Sequence, residues 1–418
     1  MAQKSKQWAG IIMMIALFAM IAFVTNLCSP MAVIVKNQFG GSELQSQIGN
    51  YANFVAYLLM GIPSGMLIVK YGYKKTAIMA LVVGIIGMVL ELLSGSMESM
   101  WVYLAGAFIS GFCMCMLNTV VNPLLNVLGG GGNSGNQLIQ IGGAFNSGAA
   151  VAVYIILGAL IGEVTPETAI ADAAPAMFIA LAIFLLALFV LFLTKIEEPK
   201  QEPVKAELFA GALKFRHFAL GMLAIFLYMS VEVGTPTYMI KYLIDDVHIA
   251  AGTASLIAAV YWFAMFIGRS VGGSIGGKVS SRAMVGTTAA VAVALIAFGM
   301  FAPDSMTTNV PGVDWANLTI TWTAVPVGVA AFICVGLCTS VMWGGIFNMA
   351  TEGLGKYTAA ASGLFMTMVF GCAVMVAVQA FVVDLTGSYL TSYCVPLICA
   401  AYILFYALIG SKVSKRAE

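Results

Sequence analysis

Apolar runs of span length, parted by short polar turns, fill almost the whole of this 418-residue chain. A helix needs about 20 apolar residues to cross the hydrocarbon core of a bilayer. Twelve segments meet that demand, at residues 9–35, 47–69, 75–94, 100–128, 137–162, 174–194, 216–243, 251–276, 282–302, 319–350, 357–384 and 388–411. In lipid every backbone polar group must be satisfied internally, so uninterrupted runs of this length predict helices rather than barrel strands. An even number of spans places both ends on one side. All 19 Lys and Arg residues except Lys36, Lys241 and Arg269 fall on the tails and the even-numbered loops. Basic residues stay inside, so the termini are predicted to be cytoplasmic. Lys4 and Lys6 lead straight into a full-length run, which reads as an anchor rather than a cleaved signal.

The link from Lys195 to Arg216 (KIEEPKQEPVKAELFAGALKFR) is mixed in charge and carries proline. It divides the spans into an N-terminal six-helix bundle (1–195), a cytoplasmic linker (196–215) and a C-terminal six-helix bundle (216–418). The expected fold class is an all-α polytopic membrane protein with 12 transmembrane helices in two pseudo-symmetric bundles. The two sets echo each other. Asn26-Leu-Cys-Ser-Pro30 in span 1 matches Glu232-Val-Gly-Thr-Pro236 in span 7, and Gly61-x-x-x-Gly65 in span 2 matches Gly268-x-x-x-Gly272 in span 8. Repeats of this kind mark transporters whose substrate site lies between the halves, near the membrane midplane.

Composition agrees and excludes other classes. Apolar residues make up 61% and charged residues 9%, against about 25% charged in soluble domains. A formal charge of +1 gives no basic face for nucleic acid. All eight cysteines sit within apolar runs, and His217 and His248 form no cluster, so neither metal chemistry nor a resident cofactor is expected. No nucleophile–base set points to an enzyme.

The sharpest feature is Glu232, read as the lone acid midway along a spanning run. A charge there costs about 2.5–3.5 kcal/mol on insertion scales, so such a group faces water or a partner and marks function. It is read as the ion-coupling group, with Asn26 and Thr235 as neighbours. The ion is H⁺ or, since hard cations take oxygen ligands, Na⁺. Asn118, Asn122 and Asn126 recur every four residues and form one polar stripe. Amides on such a stripe can bridge neighbouring hydroxyls of a sugar; interhelical bonding is the plainer reading. Gln140, Asn146, Trp343, Phe347, Asn348, Trp262, Gln379 and Tyr228 join Asn118 and Asn122 as candidate substrate contacts, the indoles as stacking platforms. Arg269 reads as structural or gating. The stretch Gly129–Gly135 reads as a mobile hinge, because the Walker lysine is missing.

The turn Gly65-Met-Leu-Ile-Val-Lys70-Tyr-Gly72-Tyr-Lys74-Lys75 resembles the signature Gly-x-Leu-x-Asp-Arg-x-Gly-x-Arg/Lys of the major facilitator superfamily, with Val69 where Asp stands. Gly65, Lys70, Gly72 and Lys74 are thereby assigned to gating. Asn118-Thr-Val-Val-Asn122-Pro123 through Gly129, then Phe145-Asn146-Ser147-Gly148, Gly268-Arg269, Ile346-Phe347 and Gln379 through Asp384 resemble the fucose–galactose–glucose:proton symporter family. The resemblance implies a monomeric, multi-pass hexose importer of a bacterial inner membrane, working by alternating access. Two acids of the family's fucose-type member are replaced, by Asn118 and by the acid-free span 1, and Gly143 stands for a glutamine. Tyr228-x-x-x-Glu232 is similar to glucose-type members, which points to glucose, galactose, mannose or a small oligosaccharide rather than fucose. A Na⁺-coupled or uncoupled facilitator and a drug or metabolite exporter are the alternatives.

Overall fold

The computed structural model describes residues 8–39, 43–161, 169–196, 198, 206–314 and 319–413. The first six helices are α1 (Trp8–Phe39), α2 (Glu43–Tyr71), α3 (Tyr73–Ser96), α4 (Met100–Leu128), α5 (Gly132–Ile161) and α6 (Ile170–Leu193). A linker helix, α7 (Ala206–Leu213), precedes α8 (Arg216–Met229), α9 (Thr235–Asp245), α10 (Ala251–Ile275) and α11 (Ser281–Phe301). After a hairpin of β1 (Thr307–Asp314) and β2 (Thr319–Pro326) come α12 (Val327–Thr339), α13 (Met342–Thr351), α14 (Thr358–Thr367), α15 (Gly371–Thr386), α16 (Tyr389–Ser392) and α17 (Cys394–Phe405).

Eleven stretches among the described residues are long and apolar enough to cross a membrane. Each expected span except the fifth supplies one, several as broken helices: α8–α9, α12–α13, α14–α15 and α16–α17. The fifth is α5, a 30-residue helix with a polar first turn, packed between α1 and α10. The tenth expected span is corrected at its start. Residues 319–326 are not helical but pair with β1 in an antiparallel register, Thr307↔Pro326 through Asp314↔Thr319. The alternation Thr-Ile-Thr-Trp-Thr suits a strand, because β-branched residues on every second position pack on a pleated surface. The described fold is therefore helical with one added hairpin. The expected hinge at Gly129–Gly135 is also shortened, since α5 begins at Gly132.

α4 is buried on every side from Cys113 to Leu125, as a core helix must be. α6, by contrast, turns Leu186, Phe189 and Phe192 outward, an apolar surface suited to lipid tails. Glycines let helices approach at the seam between the first six helices and the rest. A Cβ on Gly65 would stand 3.2 Å from the Cα of Gly363, and one on Gly61 would stand 2.6 Å from the amide nitrogen of Thr367. Only small residues allow two backbones this near each other. The α2–α14 seam lies at the end of the molecule that holds the start of α1 and Ser411. There Gly10 abuts Leu128 and Ile196, and Arg282 Nε donates to Ser411 Oγ at 3.1 Å. Lys70, Lys74, Lys278 and Lys356 belong to turns on the same terminal face.

Candidate functional site

Glu232 sits in a break in the helix. α8 ends at Met229, and a single π-helical turn, Ser230–Gly234, carries the chain into α9. Pro236 follows and has no N–H to give to the preceding turn. The carbonyls of Val231 and Glu232 instead accept the hydroxyl of Tyr261, at 3.2 and 3.0 Å. One-turn π bulges of this kind are frequent at functional sites.

The carboxylate of Glu232 meets a guanidinium. Arg269 Nη2 of α10 lies 3.2 Å from Glu232 Oε1, both side chains being almost wholly enclosed. Nη1 of the same group donates to Ser147 Oγ at 2.8 Å, to Asn146 Oδ1 at 3.1 Å and to the carbonyl of Gly143 at 3.4 Å. Asn146 in turn donates to the carbonyl of Phe18 in α1, at 2.7 Å. Arg269 thus joins the acid on one half of the molecule to α5, and through it α1, on the other. The Arg269 side chain runs directly over Gly143, where a Cβ would stand 3.4 Å from Arg269 Cδ, in ordinary van der Waals contact.

A second polar layer crosses the same boundary. Asn118 Nδ2 donates to the hydroxyl of Tyr57 at 2.9 Å, and Asn122 Nδ2 to the carbonyl of Asn118 at 2.9 Å. Asn122 Oδ1 accepts from the indole of Trp343 at 3.3 Å. The Trp343 ring is tilted against Tyr228, with centroids 6.2 Å apart. α13 begins at Met342, just after a break from α12, and this break sets Trp343 toward α4.

Toward the terminal face a third layer closes the boundary. Gln140 Nε2 donates to Val341 O at 2.9 Å. Asn126 Nδ2 donates to Asn348 Oδ1 at 2.5 Å, and Asn348 Nδ2 to Ser281 Oγ at 2.8 Å. These amides tie the halves to each other.

Other sequence candidates lie elsewhere. Phe347 is buried edge-on against Phe365, 5.3 Å between centroids. Trp262 stands edge-on to Tyr261. Asn26 donates to its own helix at Ala22 O. Gln379 reaches Ser392 Oγ at 3.3 Å, and Thr235 is buried with its carbonyl accepting from Tyr393. In the signature turn, Lys70 lies over its neighbour Tyr71, and Lys74 Nζ caps the end of α6 at Phe192 O. Gly72 has φ of +87°, and the first two amides of α3 donate to Glu198 of the linker.

Glu232 is not the lone acid within the spans. Glu91 of α3 is also buried, its Oε1 accepting from Ser110 of α4 at 2.7 Å. Both of those partners belong to the first six helices, so the pair serves helix packing within them. Tyr57, Ser147 and Tyr261 were missed as site residues. A hydroxyl placed mid-span was the available signal, and the chain carries many.

A polytopic helical protein with a buried ion pair and polar layers across its midline has the build of a secondary transporter. Residues 13–378 match the model of the Major Facilitator Superfamily, and the chain belongs to that superfamily. It is a multi-pass membrane transporter and not an enzyme. It is similar to the glucose/galactose transporter of Brucella abortus, with 28% identity over 95% of this chain and 92% of that protein. It is also similar to the L-fucose-proton symporter of Escherichia coli, with 24% identity over 96% and 92%. The crystal structure of the Major Facilitator Superfamily transporter FucP in the outward conformation matches with a TM-score of 0.79 and 22% identity, over 97% of this chain and 100% of that one.

Proposed function

We propose that the protein imports a hexose of the glucose or galactose type together with a proton, by alternating access across a bacterial inner membrane. The observation that carries this reading is the Glu232–Arg269 pair, whose guanidinium also holds Ser147 and Asn146 of the opposite half. A guanidinium is not deprotonated in proteins, so the carboxylate is the member of the pair that can change charge. When Glu232 takes a proton, Arg269 loses its partner and its grip on α5 must be rebuilt. Breaking a buried pair one-sidedly costs about 3–5 kcal/mol, enough to shift a two-state equilibrium by orders of magnitude.

The sugar is assigned to the layer below: Asn118 and Asn122 for its hydroxyls, Trp343 and Tyr228 for its C–H face. Asn146 and Gln140 complete the proposed set. The Brucella relative is a glucose/galactose transporter and the Escherichia coli relative an L-fucose-proton symporter, which supports a hexose as cargo and a proton as the coupling ion. The terminal face carries the basic turns, and by the positive-inside rule we place it in the cytoplasm. With Gln140–Val341, Asn126–Asn348 and Gly65–Gly363 closed there, the state is one shut toward the cytoplasm. α5 completes the count as the twelfth span, the bundles being 1–195 and 216–418 with a linker at 196–215, in a monomer.

The test is uptake of labelled sugar into proteoliposomes. An inward pH gradient is expected to concentrate glucose or galactose above equilibrium. Equilibration without accumulation under both pH and sodium gradients would reduce the protein to a facilitator.

A further inference from the structure

The β1–β2 hairpin takes no part in the ion pair or the polar layers. It follows α11, which starts beside Ser411 and ends at Phe301, so it lies at the end of the molecule opposite the terminal face. A sheet with one face in water shows polar residues on that face and packs its apolar ones inward. This hairpin differs. Val310 and Val325 share one face and are buried, with Gly312 between them. The other face is apolar as well: Ile320 is 63% and Trp322 is 68% exposed, beside exposed Ala324 and with Pro311 opposite Trp322. Asn309 is the polar exception on that face. From Met306 to Pro326 the sequence carries one charged residue, Asp314.

Two observations fix the level at which the hairpin lies. β1 packs along α10, and a Cβ on Gly312 would stand 3.2 Å from the Cβ of Leu256, inside the apolar stretch Thr253–Ile275. The hairpin therefore lies back against the bundle where a span ends, instead of standing off into water. It is also a sheet of only two strands, so each outer edge carries backbone groups outside the ladder. Such edges are not tolerated in hydrocarbon, where an unsatisfied group costs several kcal/mol. Between those limits is the headgroup layer, where water still reaches the backbone and tryptophan collects.

We propose that the face formed by Pro311, Ile320, Trp322 and Ala324 docks into the headgroup layer of the bilayer, with Trp322 as its anchor. Lipid is the occupant because the face continues a lipid-facing stripe. Val291, Ala294, Phe298 and Phe301 are exposed at helical spacing on α11, and exposed Met306 follows them into the hairpin. An indole suits this layer, with an apolar ring for the acyl chains and an N–H for the wet side. The inference rests on the membrane-spanning fold and is independent of cargo and coupling ion.

Tryptophan fluorescence of the purified full-length protein in nanodiscs tests it. The signal of Trp322→Phe is subtracted from that of the wild type, so the difference belongs to Trp322. The discs are made of ordinary phosphatidylcholine or of phosphatidylcholine brominated near the head of its acyl chains. Most of the difference signal should be lost in the brominated discs. Moving the ring along the same face, with Ile320→Trp added to Trp322→Phe, should give a signal that brominated lipid quenches likewise. Persistence of either signal in brominated discs overturns the assignment, and aqueous iodide then shows why. Quenching by iodide would put the face in water, and shielding from iodide would mean that another strand or a second copy covers it.

Discussion

Arg269 Nη2 lies 3.2 Å from Glu232 Oε1 across two helices of the C-terminal half, while its other nitrogen grips Ser147 and Asn146 of α5. One guanidinium therefore senses the charge of the acid and bears on the opposite half of the molecule. Such an arrangement can convert a protonation into a rearrangement of the two halves, because neutralising the acid removes the charge that holds the guanidinium.

Arg269→Ala leaves a buried carboxylate without its partner, and about 3–5 kcal/mol of native-state stability should go with it. Arg269→Lys should fold yet transport poorly, since an ammonium cannot hold the acid and α5 in one planar fork. Thermal unfolding and sugar uptake on the same preparations distinguish the two.

Asn122→Ala should weaken sugar binding about three- to tenfold, the loss of one or two neutral hydrogen bonds. Trp343→Ala should weaken it more, since it removes both the ring and the Nε1–Asn122 bond. Equilibrium binding to purified protein checks both, and affinity at the wild-type level in either would move the sugar elsewhere.

Gly65→Leu should prevent the terminal-face seam from closing, for even a Cβ there is tight against Gly363 and Ala359. Spin labels on Tyr71 and Lys356 should then report a longer separation than in the wild type, with uptake lost.

Glu91→Gln should leave accumulation within about twofold of wild type, because the amide oxygen can still accept from Ser110. A loss of gradient-driven uptake in this variant would make the α3 acid a second coupling group.

The spans were legible because hydropathy in lipid admits few alternatives, and the acid at 232 stood out for the same reason. Three things were not. The hairpin was hidden because Thr319–Pro326 is as apolar as a helix, and only its β-branched alternation distinguishes it. Arg269 reads from the sequence as structural or gating, but its partner cannot be read from spacing, since Glu232 lies 37 positions away on another helix. The asparagine stripe was placed on one face correctly. Its use was not legible: Asn118 and Asn122 reach Tyr57 and Trp343, whereas Asn126 ties down Asn348 at the terminal face. Periodicity gives the face of a helix but never the residue opposite.

The most direct measurement is sugar uptake by Glu232→Gln in proteoliposomes under an imposed pH gradient, with counterflow as the companion assay. The account predicts that accumulation disappears while exchange of labelled for unlabelled sugar persists. Accumulation at the wild-type level in that variant would contradict it.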